Sequence, residues 1–194
     1  MPNSKVKIKS ITNLSNNYYV LDKVNFDYKT KKGTWQNQNR ESYNRGDGAA
    51  ILLYNIVKNT VILTKQFRMP SFLNGNDNGM MIEVCAGLLD KNDPLTCIKN
   101  EAEEETGYQV KNPKKILEVY STPGAVTEKI HYFIAEVNDT MKISEGGGLE
   151  NETEEIEVLE LNFEAAFKMI YSGEICDAKT IILLQYAKIN NLLK

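Results

Sequence analysis

Gly87-Leu-Leu-Asp90-Lys-Asn-Asp93-Pro94-Leu-Thr-Cys-Ile-Lys-Asn100-Glu101-Ala-Glu-Glu104-Glu105-Thr-Gly107-Tyr108 is the stretch on which the reading of this chain depends. Asp93 is a good N-cap, Pro94 suits the first helical position, and Gly107 suits the left-handed position past the end. The spacing therefore predicts a helix over 94–106. Leu95, Ile98 and Ala102 recur at steps of three and four and form its expected apolar face. Near its C-terminal end, Glu101, Glu103, Glu104 and Glu105 put four carboxylates in five residues, where the helix dipole disfavours negative charge. Glu101 and Glu105 share a face, with Glu104 one step around. Two readings stand. One is a solvated acidic face, costing about a few tenths of a kcal/mol per like-charged pair. The other is a hard divalent cation, Mg²⁺ above all, held by carboxylates together with substrate phosphates. The Gly-Leu-Leu-Asp turn favours the second, since it brings backbone carbonyls toward the same ion.

Upstream, Met80 to Leu89 is an apolar run, and residues 71–79 (Ser-Phe-Leu-Asn-Gly-Asn-Asp-Asn-Gly) read as a loop. Ala49 to Val57 and Thr60 to Phe67 are two apolar runs split by Lys58-Asn59 like a hairpin. Residues 1–45 read as β structure, with Tyr18 to Leu21 and Val24 to Tyr28 the most strand-like segments. The polar run Gln36 to Arg45 leads to the breaker cluster Arg45-Gly-Asp-Gly48, the expected boundary between a β region at 1–45 and a main domain at 46–194. Downstream come strand-like segments at 114–121, 129–137 and 156–161, and a loop at 138–151 containing Gly146-Gly-Gly148. Two helical patterns close the chain, one capped by Asn162 and one by Asp177. This order predicts a mixed α/β sheet with helices packed on it.

Composition narrows the function. The chain has 194 residues, 42% of them hydrophobic, enough for one ordinary core. A formal charge of −3 excludes a generally basic nucleic-acid binder. No apolar run approaches the roughly 20 residues that cross a bilayer, and Met1 to Lys7 has no apolar signal stretch. No nucleic acid or membrane partner is expected, and the expected location is cytoplasmic. Cys85, Cys97 and Cys176 form no CxxC pair and indicate neither a disulfide framework nor a zinc site. Positive charge is carried by 20 Lys and only three Arg (Arg40, Arg45 and Arg68), a mild pointer to geometric roles for the arginines.

The stretch from Gly87 to Tyr108 resembles the signature box of the Nudix family, G-x5-E-x7-R-E-U-x-E-E-x-G-U with U aliphatic. Arg45-Gly-Asp-Gly-Ala49, Gln66-Phe-Arg68, Ala86 to Asp90, Pro123 to Glu128 and Ile156 to Leu161 are similar to the ADP-sugar and GDP-mannose pyrophosphatase branch, so the likeness runs over nearly the whole chain. Three departures stand out. The box is one residue short between the leading glycine and the glutamates, Asp93 stands where Glu is usual, and Asn100 stands where Arg is usual.

The resemblance implies an α/β/α Nudix sandwich with a mixed sheet, an N-terminal β-rich region and a homodimer in which that region reaches the partner's site. It implies a metal site of Ala86, Glu101, Glu105 and Glu154 for Mg²⁺ (or Mn²⁺), with Glu104, Glu105 and Glu154 as the catalytic carboxylates. Among five acidic residues at 150–157, Glu154 is singled out as ligand or base and Glu152 is the reserve; the remainder read as a solvated loop. Substrate contacts are implied for Tyr18, Arg40, Glu41, Arg68, Gly87, Leu88, Glu128 and Lys179. From sequence alone, Tyr18 reads equally as a core or interface residue. Arg45 is read as fixing the domain junction and His131 as structural. The implied activity is hydrolysis of a nucleoside diphosphate sugar, GDP-mannose first. ADP-ribose or another ADP-sugar is the alternative, and a non-catalytic nucleotide-binding module is the rival from another class.

Overall fold

Ala49-Ala-Ile-Leu-Leu53 is buried on both sides, which only the central strand of a sheet covered on both faces allows. In the computed structural model, which describes residues 5–149 and 154–194, this is strand β4 (Gly48–Asn55). It runs antiparallel to β5 (Thr60–Phe67) and β7 (Cys85–Leu88) and parallel to β9 (Lys129–Glu136). Its side chains alternate between two cores. Ala50 and Leu52 join Phe163, Leu183 and Leu184, from α3 (Phe163–Ser172) and α4 (Ala178–Ile189). Ala49, Ile51 and Leu53 join Cys97, Ile98 and Ala102, from α2 (Pro94–Thr106). Helices therefore cover both faces of a mixed seven-stranded sheet, ordered β10 (Glu157–Asn162), β5, β4, β9, β8 (Lys114–Tyr120), with β6 (Met80–Glu83) on β5 and β7 on β4. This is the α/β class expected from the sequence.

The chain divides into two compact units. The second holds this sheet and its helices. The first comprises the segment up to Asp47 together with Tyr120–Lys129. It contains a separate antiparallel sheet of β1 (Val6–Asn16), β2 (Val20–Lys29) and β3 (Trp35–Asn44). The 120–129 segment belongs to this unit because Tyr43 N–H donates to Ala125 O (2.9 Å), Thr127 N–H to Tyr43 O (3.0 Å) and Lys129 N–H to the Asp47 carboxylate (2.8 Å).

The polar run Gln36 to Arg45, within the region read as β, is mostly strand β3: pairing with β2 from Val20↔Asn44 to Lys29↔Trp35 satisfies its backbone, and Asn25, Asn37 and Asn39 hydrogen-bond across the sheet at 3.0 Å. Two local expectations need correction. Part of the 71–79 loop is helical, in the single turn α1 (Met69–Leu73). Leu95 does not serve the apolar face of α2; it is 42% exposed, and Cys97, Glu105 and Thr106 are buried instead. The termini of α2 are as its sequence implies. Asp93 accepts from Leu95 N–H (3.0 Å) and Thr96 N–H (3.1 Å), and Gly107 has φ 77°.

Helix α4 is keyed to the sheet by one hydroxyl. Asp177 caps it, accepting from Thr180 N–H (2.9 Å) and Thr180 Oγ1–H (2.6 Å), while Thr180 Oγ1 accepts the N–H of buried Val84 (2.8 Å). Thr180→Val keeps the shape and leaves that N–H without its acceptor. Urea denaturation should show a loss of about 1–3 kcal/mol, the cost of an unsatisfied buried donor; unchanged stability would refute the keying role.

Candidate active site

The four-residue strand β7 places Ala86, Gly87 and Leu88 against α2. Glu105, buried to 2% exposure, accepts a hydrogen bond from Ala86 N–H (3.2 Å) and one from the Cys85 thiol. Glu101 lies over Gly87 so closely that a Cβ there would stand 1.9 Å from Oε1. Glycine is required by this contact: any side chain would drive the Glu101 carboxylate away.

The glycine run closes the C-terminal end of α2. Gly147 N–H donates to Glu105 O (2.9 Å) and Gly148 N–H to Glu104 O (3.2 Å), supplying partners for helix-end carbonyls. A Cβ on Gly148 would meet Glu154 at 2.6 Å, so glycine again leaves room for a carboxylate. Glu154 in turn accepts from Leu149 N–H at 3.4 Å. The structure thus brings together Ala86, Gly87, Glu101 and Glu105, with Glu154 near enough to bear on Glu105 electrostatically. Glu104 is exposed on the same helix. Glu150 and Glu152 lie outside the described residues.

Burial pushes the Glu105 carboxyl up to about 8, and the negative charges of Glu101 and Glu154 add to the rise; the Cys85 thiol and the Ala86 N–H oppose it. Among the described residues, no three His, Cys, Asp or Glu side chains are grouped to cage a metal. The two buried thiols are unsuited to reaction: burial raises both, Cys97 to about 12 and Cys85 well above its ordinary value.

Beside the carboxylates sits a cationic pair. Arg68 donates from Nε to Glu83 Oε1 (2.7 Å) and from Nη2 to Oε2 (3.1 Å). Lys179 donates to Glu83 as well, and to Asp177 Oδ1 at 3.1 Å. Arg68 also feels the charge of Glu105. Sequence reasoning selected Arg68 and Lys179 but missed Glu83, although a lone charge inside the apolar run Met80 to Leu89 was a signal, because a buried charge requires partners.

The remaining expected contacts lie in the first unit. Tyr18 is 86% exposed and meets Tyr19 edge-on at 4.7 Å. Arg45 stacks over Tyr19 (5.5 Å) and pairs with Glu128 (3.4 Å), which also accepts from Ser121 Oγ–H at 2.7 Å. Arg40 and Glu41 are adjacent on β3, so their side chains leave opposite faces of that sheet. Arg40 is exposed and bonds Asn39 O (2.7 Å) and Gln38 Oε1 (3.1 Å). In the second unit, His131 on β9 stands 3.3 Å from Glu118.

Comparison with known proteins gives this geometry a context. Residues 5–43 match the GDP-mannose pyrophosphatase NudK N-terminal domain, and residues 44–179 match the NUDIX domain. The chain is 52% identical over 180 residues to a protein of Salmonella typhimurium named GDP-mannose pyrophosphatase, the overlap covering 93% of each. Proteins of the same name are 53% identical in Pectobacterium atrosepticum (90% of this chain, 89% of that one) and 50% identical in Escherichia coli (93% of each). Nudix hydrolases generally require a divalent cation, in keeping with carboxylates crowded at the end of α2. Among the described residues, no helix is long and apolar enough to cross a membrane. Both the glutamates crowded at the end of α2 and the extent of these matches have one explanation: the chain belongs to the Nudix hydrolase family.

Proposed function

We propose that the protein is a Mg²⁺-dependent cytoplasmic pyrophosphohydrolase that splits GDP-mannose and water into GMP and mannose 1-phosphate. The observation that carries this reading is Glu105, buried and hydrogen-bonded beside Glu101 and within the field of Glu154, an arrangement stabilised by a divalent cation and wasteful without one. The relatives' shared name supports the substrate.

In this reading Glu101, Glu105, Glu154 and the carbonyl of Ala86 hold the metal. When bound, it supplies charge neutralisation for the diphosphate and a water acidic enough to deprotonate near neutral pH. Glu154, or Glu104 on the exposed side of α2, takes the proton from the attacking water. The water oxygen bonds to one phosphorus, the bridging oxygen leaves with the other, and each product keeps one phosphate. Gly87 and Leu88 offer backbone that a phosphate can approach closely. Arg68 and Lys179 grip the diphosphate, Arg68 through a planar fork that lysine cannot reproduce.

Tyr18, Arg40, Glu41 and Glu128 contact the nucleotide or sugar in a homodimer where the N-terminal β region, residues 1–45, serves the partner's 46–194 domain. Exposed Ile8, Ile11 and Leu14 on β1 support an interface there, since such side chains favour a covered surface. Sedimentation should give a mass near twice 22.0 kDa, and a monomer at working concentration would remove this part of the reading.

The chemistry is tested by incubating the protein and Mg²⁺ with GDP-mannose, ADP-ribose and ADP-glucose, then adding phosphatase and measuring phosphate. Release should be fastest from GDP-mannose and abolished by EDTA. Activity that survives chelation refutes the metal assignment, and no release from any compound favours a binding module.

Glu105→Gln should abolish turnover with the fold retained by circular dichroism. Gly87→Ala, which displaces only the Glu101 carboxylate, should lower kcat about tenfold or more with little change in Tm. A Gly87→Ala protein with wild-type kcat would show that the position of Glu101 is irrelevant.

A further inference from the structure

Glu83 is a carboxylate with almost no access to solvent: its side chain is 4% exposed, against 14% for Lys179 and 42% for Arg68. Burying an ion so fully is unfavourable unless its oxygens are occupied. Here Oε1 receives Arg68 Nε, and Oε2 receives both Arg68 Nη2 and Lys179. Asp177 takes a further bond from Lys179 while capping α4. Two cations and two carboxylates make a neutral group, and only the arginine retains a substantially exposed part.

We propose that Glu83 is the positioning residue of the diphosphate clamp: it fixes the guanidinium plane of Arg68 and the ammonium of Lys179 together, so that the uncommitted Nη1 edge of Arg68 is presented to a phosphoryl oxygen before substrate arrives. This rests on the proposed grip of Arg68 and Lys179 on substrate and extends it to a residue that touches none. The geometry excludes the other roles open to a carboxylate here. Both oxygens are committed to cations. Burial alone would raise the acid's pKa, yet Lys179 and Arg68 hold it below the usual carboxylate range, so it is ill suited to take a proton from water. Its contribution is preorganisation, which lowers the cost of ordering a long side chain when ligand binds. Arg68 starts that binding with two of its five N–H donors already satisfied, which settles its rotamer without using the outward edge.

The full-length protein with Mg²⁺ and GDP-mannose tests this by Michaelis parameters. Glu83→Gln places an amide donor against cationic N–H groups and should raise KM about tenfold with kcat within about twofold of wild type. In an Arg68→Ala background the same change should raise KM by clearly less than it does in the wild type, because only Lys179 is left for Glu83 to position. A fall in kcat at unchanged KM would move Glu83 into the chemistry and overturn the proposal. Additive effects in the double variant, or a loss of Tm with unchanged Michaelis parameters, would leave it a structural ion pair and also overturn it. If Glu83→Gln fails to fold, Glu83→Asp reads the same contact, since it keeps the charge but is too short to hold both cations: raised KM at near wild-type kcat supports the proposal and unchanged KM overturns it. A wild-type protein that cleaves no nucleotide sugar would refute the functional reading instead. Calorimetric binding of inorganic pyrophosphate then decides the positioning role, supported by weaker binding in Glu83→Gln and overturned by equal binding.

Discussion

Like charges forced together at the negative end of a helix are the constraint around which this structure is arranged. Glu101, Glu104 and Glu105 follow one another over little more than a turn of α2, and Glu105 is buried there. The dipole relieves none of them, and solvent does not reach Glu105. The fold responds locally with hydrogen-bond donors: the Ala86 N–H and the Cys85 thiol serve the Glu105 side chain, while the N–H groups of Gly147 and Gly148 serve the carbonyls of Glu105 and Glu104. Those bonds orient the Glu105 carboxylate and close the end of the helix. An arrangement so costly to the isolated protein is suited to binding a cation together with an anion.

Glycine appears where backbone must come close to a carboxylate. At Gly87 the demand comes from the side chain of Glu101, and at Gly148 it comes from Glu154. At Gly148 φ is also positive, at 82°, so its conformation and its clearance require the same residue. The two positions lie 61 residues apart in sequence, and each makes room for one glutamate.

The helix was legible because its signals are local. Asp93, Pro94 and Gly107 act within a turn of where they stand, and a two-sided strand such as β4 shows itself as an unbroken apolar run. Features that depend on a distant partner were not legible. Gln36 to Asn44 lies in the region read as β, but its polar residues do not mark the ends or register of a strand; the β2 ladder sets them. Leu95 falls on the apolar period of α2 but stands in its first turn and is exposed. The 120–129 segment joins the first unit through three hydrogen bonds whose partners stand about eighty residues away. The candidate site divides in the same manner. Its glutamates stand in one motif, whereas Glu83 is meaningful only once Arg68 and Lys179 are folded against it.

Asp177-Ala-Lys179-Thr180 shows how compactly a buried cation can be encoded. Asp177 starts the helix and holds the lysine, Thr180 bolts the first turn to Val84, and Lys179 is left facing the strand that carries Glu83. An α-helix advances about 100° per residue, so one inserted residue within this turn would swing the ammonium off its partner. The four positions therefore have to be inherited together. They form a transferable unit, and the same spelling opposite a buried acid would deliver a cation to a sheet in an unrelated chain.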